Sequence, residues 1–306
     1  MAPRFSFLGM GGIGKAMTRN IVLSGKLDEP LIIYNRTKAR AEEHSASIGH
    51  STVAETIEEA VSGSDIIWSC LQDDEAVELS FKLILQADVT GKLFVDSSSI
   101  TPEVTNRIAE QVLKAGGEFV AMPVMGEPSM AEKRLLTCIA SGAPGSVDRI
   151  RPYVVGVVGR AIIDLSGEEP GKGSLLKLMG NVLIMNTMET VAELNVFAEK
   201  CGVGVHSMKK LMDQMFPNTP YSIYNYRMLS GGYYQDTPIV EVSKALKLTA
   251  HVLELAKSSG ASIKGYEAAI DHLKVVEDQA GGEADITGIY GAVRLESGLP
   301  FKNETQ

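Results

Sequence analysis

Cysteine is scarce: Cys70, Cys138 and Cys201 stand far apart in a chain of 306 residues. An odd, scattered set excludes a disulfide framework and gives no Cys/His metal spacing, so no metal is expected and a reducing, cytoplasmic setting fits best. Histidine is equally thin, five residues without ligand spacing. Basic residues are outnumbered, 29 against 38 acids, for a net charge of −9. Such a surface repels phosphate backbones, and with no local basic patch no nucleic-acid partner is expected. Nowhere do about 18 apolar residues run uninterrupted, which argues against a membrane span. A strand-like run already begins at Arg4, so no targeting peptide is expected. What is present is 44% hydrophobic and 22% charged. That suffices for packed cores and excludes global disorder, collagen and coiled coil. The length suits two domains better than one.

The first 165 or so residues alternate between β-rich runs and helical patterns. Strands are expected at Arg4–Leu8, Leu31–Tyr34, Asp65–Leu71, Leu93–Asp96, Glu118–Ala121, Leu136–Ala140 and Ala161–Leu165. Helices fall between them, including Thr37–Ser47, Glu75–Gln86 and Thr101–Ala115. Strands separated by such helices imply βαβ units and a mainly parallel α/β sheet. Breakers and charges from Gly167 to Gly173 read as a loop. Beyond it only helices are expected: a long one over Ser174–Lys200, apolar almost all round, then His206–Met215 and Val240–Ser258, with a Tyr-rich loop at Tyr221–Tyr234. The expected organisation is an α/β domain with a mainly parallel sheet over residues 1–166, followed by an all-α domain over residues 167–306.

The chemistry begins at Gly9-Met10-Gly11-Gly12-Ile13-Gly14, a G-x-G-x-x-G pattern directly after a strand run. Ile13, Met17 and Ile21 then recur every four residues, as a buried helix face should. In such a turn Gly9 allows the tight bend, Gly11 admits a pyrophosphate, and Gly14 lets the helix pack against the strand. The helix N-terminus offers its free N–H groups to the phosphates. The second strand ends in Asn35-Arg36-Thr37. An acid at this point would grip the 2′-hydroxyl of NAD and repel a 2′-phosphate, whereas neutral Asn35 followed by Arg36 favours NADP(H).

Lys177 lies in an apolar helix, with Asn181 four residues on and Ser174 three before, all on one face. Desolvation would lower the lysine from its ordinary pKa of about 10.4 toward a range suited to proton transfer. A carbonyl taking up hydride needs that proton on oxygen. The residues alone leave a second reading open, a lysine snorkelling from a helix start with its head in water.

These two motifs together resemble the β-hydroxyacid dehydrogenase family, whose members include 3-hydroxyisobutyrate dehydrogenase and glyoxylate/succinic semialdehyde reductases, with imine reductases as structural relatives. The likeness runs nearly the whole chain. Leu8–Gly14, Met17 and Asn20 resemble its cofactor fingerprint, and Val95-Asp96-Ser97-Ser98-Ser99 its V-D-x-S-T turn. Gly173, Lys177 and Asn181 are similar to its catalytic-lysine motif, Lys247 falls at its K-D-L lysine, and Asp285 matches its C-terminal acid. The resemblance implies Lys177 and Asn181 as catalytic residues. It implies Gly9, Met10, Gly11, Gly12, Ile13, Gly14, Asn35, Arg36, Thr37, Leu71, Ser98, Ser99 and Lys247 as cofactor-binding, and Met125, Gly126 and Lys177 as substrate-binding. The fold the resemblance implies is a dinucleotide-binding Rossmann domain over residues 1–166 plus an all-helical domain over residues 167–306, with the long helix packed in a homodimer.

The substrate motif departs from the family. Met125 stands where a carboxylate-binding serine is expected, and Glu127 where a glycine is. A thioether is a poor hydrogen-bonding group, and Glu127 would repel an acid substrate. The expected activity is NADPH-dependent reduction of an aldehyde or keto group with Lys177 as general acid/base. An imine substrate and a non-catalytic NADPH-binding scaffold are the alternatives.

Overall fold

Residues along the central strands alternate between two apolar cores, one on each face of a sheet. On one side lie Phe5, Phe7, Leu31, Ile33, Ile66, Trp68, Leu93, Val95 and Val120. On the other lie Leu8, Ile67, Phe94, Phe119 and Ala121. Burial on both faces is why these strands are continuously apolar, a property of parallel sheets covered by helices. The computed structural model describes residues 2–304.

Up to the sheet's midpoint the chain runs β1 (Phe5–Leu8), α1 (Gly12–Ser24), β2 (Leu31–Tyr34), α2 (Lys38–Ile48), β3 (Ser51–Val53), α3 (Ile57–Ser62), β4 (Ile66–Ser69), α4 (Asp74–Ile84), β5 (Leu93–Asp96) and α5 (Pro102–Lys114). It continues through β6 (Glu118–Ala121), β7 (Val124–Met125), α6 (Pro128–Glu132), β8 (Leu136–Gly142), α7 (Pro144–Ile150) and β9 (Gly159–Ser166). The strand order is β3-β2-β1-β4-β5-β6-β8-β7, with β9 pairing β8. The strands from β3 to β6 are parallel, and β8 runs antiparallel to both β6 and β7. The order reverses at β1, which pairs β2 on one side and β4 on the other. In doubly wound sheets ligands bind outside the strand C-termini at such a reversal.

Every expected strand is present, within a few residues at its ends. Two short strands, β3 and β7, lack a readable pattern because three and two residues cannot display one. The long helix α8 (Pro170–Lys200) begins inside the stretch expected to be a loop. Pro170 suits a first helical turn, and close packing accounts for the two glycines behind it. A Cβ on Gly171 would come within 2.7 Å of the Asn106 side chain, and one on Gly173 would collide with Ser141 Oγ. Gly171 N–H donates to Asn106 Oδ1 at 2.7 Å, and Thr105 Oγ1 and Ser174 Oγ share a buried hydrogen bond of 2.7 Å. Glycine here brings helix and sheet together rather than ending a helix.

Contacts divide the chain into two compact units, Met1–Leu178 and Met179–Gln306, with the division inside α8. The second unit is helical: the rest of α8, α9 (Val205–Met215), α10 (Pro220–Leu229), α11 (Gly232–Gln235), α12 (Val242–Ser259), α13 (Lys264–Ala280) and α14 (Ile289–Glu296). The expected Tyr-rich loop is therefore α10 and α11. Tyr233 hydroxyl donates to the Phe301 carbonyl at 2.6 Å and Tyr234 hydroxyl to the Asn303 carbonyl at 3.0 Å. Packing of the C-terminal segment accounts for these two tyrosines.

Asp285 gathers much of this unit. Its carboxylate accepts from Arg227 Nη2 at 2.7 Å, Ile239 N–H at 2.7 Å, Thr287 N–H at 2.7 Å and Thr287 Oγ1 at 2.6 Å. Removing one partner of a buried pair leaves the other charge stranded. Asp285→Ala is therefore expected to lower unfolding free energy by about 3 kcal/mol or more, and Asp285→Asn by less; denaturant melts of the two variants check the order.

Candidate active site

The turn between β1 and α1 is built by backbone approaching backbone. Gly9 sits at φ +104°, and a Cβ there would collide with the Cys70 carbonyl oxygen. A Cβ on Gly14 would collide with the Gly9 carbonyl oxygen, so only glycine lets α1 start this close to β1. Gly12 has less freedom than its neighbour, since a Cβ there would meet Pro128 of α6 at 3.0 Å. Gly11 is different. It has φ −76° and a Cβ there would meet nothing within 4 Å. The protein's own packing gives no reason for glycine at this position, whereas a ligand lying against the backbone would. Gly11 caps α1 without a side-chain hydrogen bond, leaving the N–H groups of the first turn directed outward. The residues present thus fit a pyrophosphate.

Met10, Ile13 and Asn35 shape this cradle. Met10 is buried, and its N–H donates to Asn35 Oδ1 at 2.9 Å, tying the turn to the end of β2. Asn35 Nδ2 donates onward to the Thr37 carbonyl at 2.9 Å. Ile13 packs on the core beneath the turn. Arg36 and Thr37 are exposed just beyond β2. Lys38 is bound to Glu55 at 2.5 Å and Glu42 at 3.3 Å. Asn20, part of the extended fingerprint, donates to the Ala131 carbonyl at 2.8 Å and ties α1 to α6.

At the ends of β4 and β5, Ser98 is buried rather than presented to solvent. Its hydroxyl donates to Asp96 Oδ1 at 2.7 Å and accepts from Leu71 N–H at 2.8 Å. Ser99, the next residue, is exposed. Trp68 indole N–H donates to Ser97 Oγ at 2.8 Å. Asp96, one polar residue of a serine-rich turn in the sequence, is a fully enclosed carboxylate. Its place at the end of the continuously apolar run Leu93-Phe94-Val95 is the signal in the sequence, since that strand is buried at every position.

Lys177 is partly buried on α8, and burial pushes its ammonium down to about 8. Its Nζ lies 3.3 Å from Met125 Sδ, at the end of β7. A thioether does little to hold a proton, so desolvation is not offset and the amine gives up its proton more readily than a surface lysine. Gly126, at φ +137°, has no room for a Cβ beside Leu136, which is a structural reason for glycine there. Glu127 Oε1 accepts from Ser129 Oγ at 2.6 Å at the start of α6. Asn181 lies one turn beyond Lys177 on α8. Lys247 is exposed on α12 in the second unit. Among the described residues no group of three or more His, Cys, Asp or Glu is placed to hold a metal, and no helix is long and apolar enough to cross a membrane.

A family profile described as the NAD binding domain of 6-phosphogluconate dehydrogenase matches residues 4–167. The NADH-dependent oxidoreductase ucdB of Aspergillus ustus is 53% identical over 96% of this chain and 100% of that protein. The structure of Mycobacterium tuberculosis 3-hydroxyisobutyrate dehydrogenase with L-serine has a TM-score of 0.80 at 21% identity, covering 96% of this chain and 100% of that one. An imine reductase from Pseudomonas sp. has a TM-score of 0.61 at 21% identity, covering 95% and 99%. The two structural likenesses concern the fold: a Rossmann-like sheet domain with a helical C-terminal part. Sheet reversal, glycine turn and relatives together define a nicotinamide-dinucleotide-dependent oxidoreductase. The chain belongs to the β-hydroxyacid dehydrogenase family, within the larger group sharing the dinucleotide-binding domain of 6-phosphogluconate dehydrogenase.

The glycines separate by role. Gly14→Ala is expected to lose about 2–3 kcal/mol of stability by overpacking. Gly11→Ala should stay within about 1 kcal/mol of the parent yet bind dinucleotide at least about tenfold more weakly, because its methyl group occupies the ligand's side of the turn. Melting curves paired with dinucleotide titrations check both.

Proposed function

We propose that this protein reduces an aldehyde or ketone with NADPH, using Lys177 as the proton donor. The observation that carries the reading is an amine held at about 8 by burial, with a thioether as its hydrogen-bonding neighbour. Such a group is protonated at neutral pH and loses its proton cheaply when an oxygen beside it gains electrons. The dinucleotide, when bound, supplies hydride. Gly9, Met10, Gly11, Gly12, Ile13 and Gly14 would hold its pyrophosphate. Asn35, Arg36 and Thr37 would hold the adenosine ribose, and Leu71, Ser98 and Ser99 would border the nicotinamide half. Lys177 would hold its proton at Nζ against the substrate oxygen, and Asn181, one turn away, would orient the amine or that oxygen. By the family resemblance Lys247 would contact the dinucleotide, residues 1–166 serving dinucleotide binding and 167–306 substrate and dimer contacts.

Met125 at Lys177 argues for a substrate lacking a carboxylate at this point, since a thioether offers an anion no donor. The same observation favours the second reading, an imine substrate, and the Pseudomonas sp. relative is named an imine reductase. For NADPH the support is neutral Asn35, which carries no charge to repel a 2′-phosphate, beside exposed Arg36. The Aspergillus ustus relative is named for NADH, which favours the opposite preference. A homodimer is supported by Leu183 and Phe197 of α8, exposed at 66% and 65%, as apolar surface of this kind suits a protein contact. The three free thiols support a reducing cytoplasm.

Lys177→Ala should lower carbonyl reduction by at least about a hundredfold while leaving dinucleotide affinity unchanged. In the parent enzyme the rate of reduction should fall as pH rises through about 8, because the donor loses its proton, and alcohol oxidation should rise through the same point. Undiminished turnover in the alanine variant, or a pH profile without that limb, contradicts the mechanism. Matched panels of carbonyls and cyclic imines separate the two substrate readings. For the cofactor, Arg36→Ala should cost about 1.5–3 kcal/mol in kcat/KM with NADPH, the worth of a hydrogen bond to a charged group, and little with NADH. An NADH-preferring parent, indifferent to that substitution, contradicts the NADPH preference.

A further inference from the structure

Asp96 closes β5 with 2% of its surface exposed. Its Oδ1 accepts from Ser69 Oγ at 2.6 Å and from Ser98 Oγ at 2.7 Å, both uncharged donors. Among the described residues no lysine, arginine or histidine contributes to its charge state. The one other titratable group that feels it is the Cys70 thiol, itself pushed up to about 12 by burial and so neutral. Burial pushes the Asp96 carboxyl up to about 6, opposed by the two serines. At neutral pH it is an enclosed negative charge without a cation, an arrangement proteins rarely keep.

Its position in the sheet says what could answer that charge. If the pyrophosphate lies over the β1–α1 turn and the adenosine ribose beside Asn35 and Arg36 after β2, the strand order β2-β1-β4-β5 leaves one direction for the other half of the dinucleotide. That direction leads over the ends of β4 and β5, which are Ser69 and Asp96. An oxidised nicotinamide ring carries a positive charge, and a reduced ring carries none. We infer that Asp96 is the counter-charge to the oxidised ring and biases this site toward the oxidised form of its dinucleotide. The inference rests on the dinucleotide-binding reading above. It makes Asp96 a determinant of redox-state preference that acts through the interior of the sheet, while Ser98 keeps the carboxylate oriented.

The linkage has a definite sign. A cation beside a carboxylate favours the ionised form, so binding of the oxidised form releases a proton near pH 6 and strengthens as pH rises through that value. The reduced form lacks that coupling. Lys177, at about 8, stays largely protonated over the same range. His44, lowered by burial and hydrogen-bonded to Thr18, also titrates in acid, but it is retained in an Asp96 variant and cancels in the comparison.

The test is isothermal titration of NADP+ and NADPH, with NAD+ and NADH as a second pair, between about pH 5 and pH 7.5 in buffers of different ionisation enthalpy. Near pH 6 the parent protein should release more protons on taking up NADP+ than on taking up NADPH, since the 2′-phosphate common to both titrates there too, and should release protons with NAD+ but not with NADH. Asp96→Asn, which keeps an oxygen acceptor for both serines, should abolish that difference and weaken NADP+ about tenfold relative to NADPH, one pKa unit of interaction. The parent's proton release stands as a readout even if the variant fails to fold. Equal proton release for both redox forms, or an affinity ratio unchanged by the substitution, overturns the inference. Failure of the parent to bind any of the four dinucleotides overturns the dinucleotide reading as well, and so is distinguishable.

Discussion

Three stretches of backbone converge at the reversal of strand order with no space for a side chain. Gly9 faces the Cys70 carbonyl, and Gly14 faces the Gly9 carbonyl. Because neither contact tolerates a Cβ, only glycine lets the start of α1 lie this close to β1 and β4. The rest of the cofactor cradle inherits that placement. Met10 N–H is carried to Asn35 at the end of β2, and Cys70 N–H is carried to the Leu8 carbonyl at 2.9 Å. The sheet reversal thereby becomes a rigid ledge with outward-pointing donors.

The same device recurs at the start of α8. Gly171 and Gly173 bring that helix against Asn106 and Ser141, and one turn later the helix delivers Lys177 to Met125. Close packing at the glycines is what allows a charged amine to be held out of water, since a looser helix would let the side chain reach solvent. Lys177 and Asp96 are opposite solutions to one problem. Both are ionisable groups under desolvation, one lowered to about 8 and the other raised to about 6. Each is poised near neutrality, where a change of charge in a bound molecule most easily moves a proton.

Much of this was legible in the residue order, for a physical reason. Strands such as Leu31–Tyr34 and Leu93–Asp96 are buried on both faces, so their apolar runs announce them. The glycine turn was legible because its spacing encodes steric demands within one short segment. Features created by contact between distant segments were not. The loop expected at Gly167–Gly173 is in part a helix start, since Asn106 and Ser141, far away in sequence, are what require those glycines. The aromatic stretch from Tyr221 to Tyr234 forms α10 and α11, with Tyr233 and Tyr234 bonded to the C-terminal segment. Asp96 looked like one polar residue in a serine-rich turn; only the assembled sheet encloses it.

The central claim is that a reduced dinucleotide lies over the strand ends of the first unit, and the protein carries its own probe for it. Trp68, the single tryptophan, is buried on β4 one residue before that strand ends. Its emission overlaps the absorption of a reduced nicotinamide ring, so energy transfer reports the ring's arrival. Titration with NADPH should quench Trp68 emission saturably and sensitise nicotinamide fluorescence, and both curves should shift to at least about tenfold higher concentration in Gly11→Ala. Binding without any transfer from Trp68 would place the ring elsewhere and contradict the account.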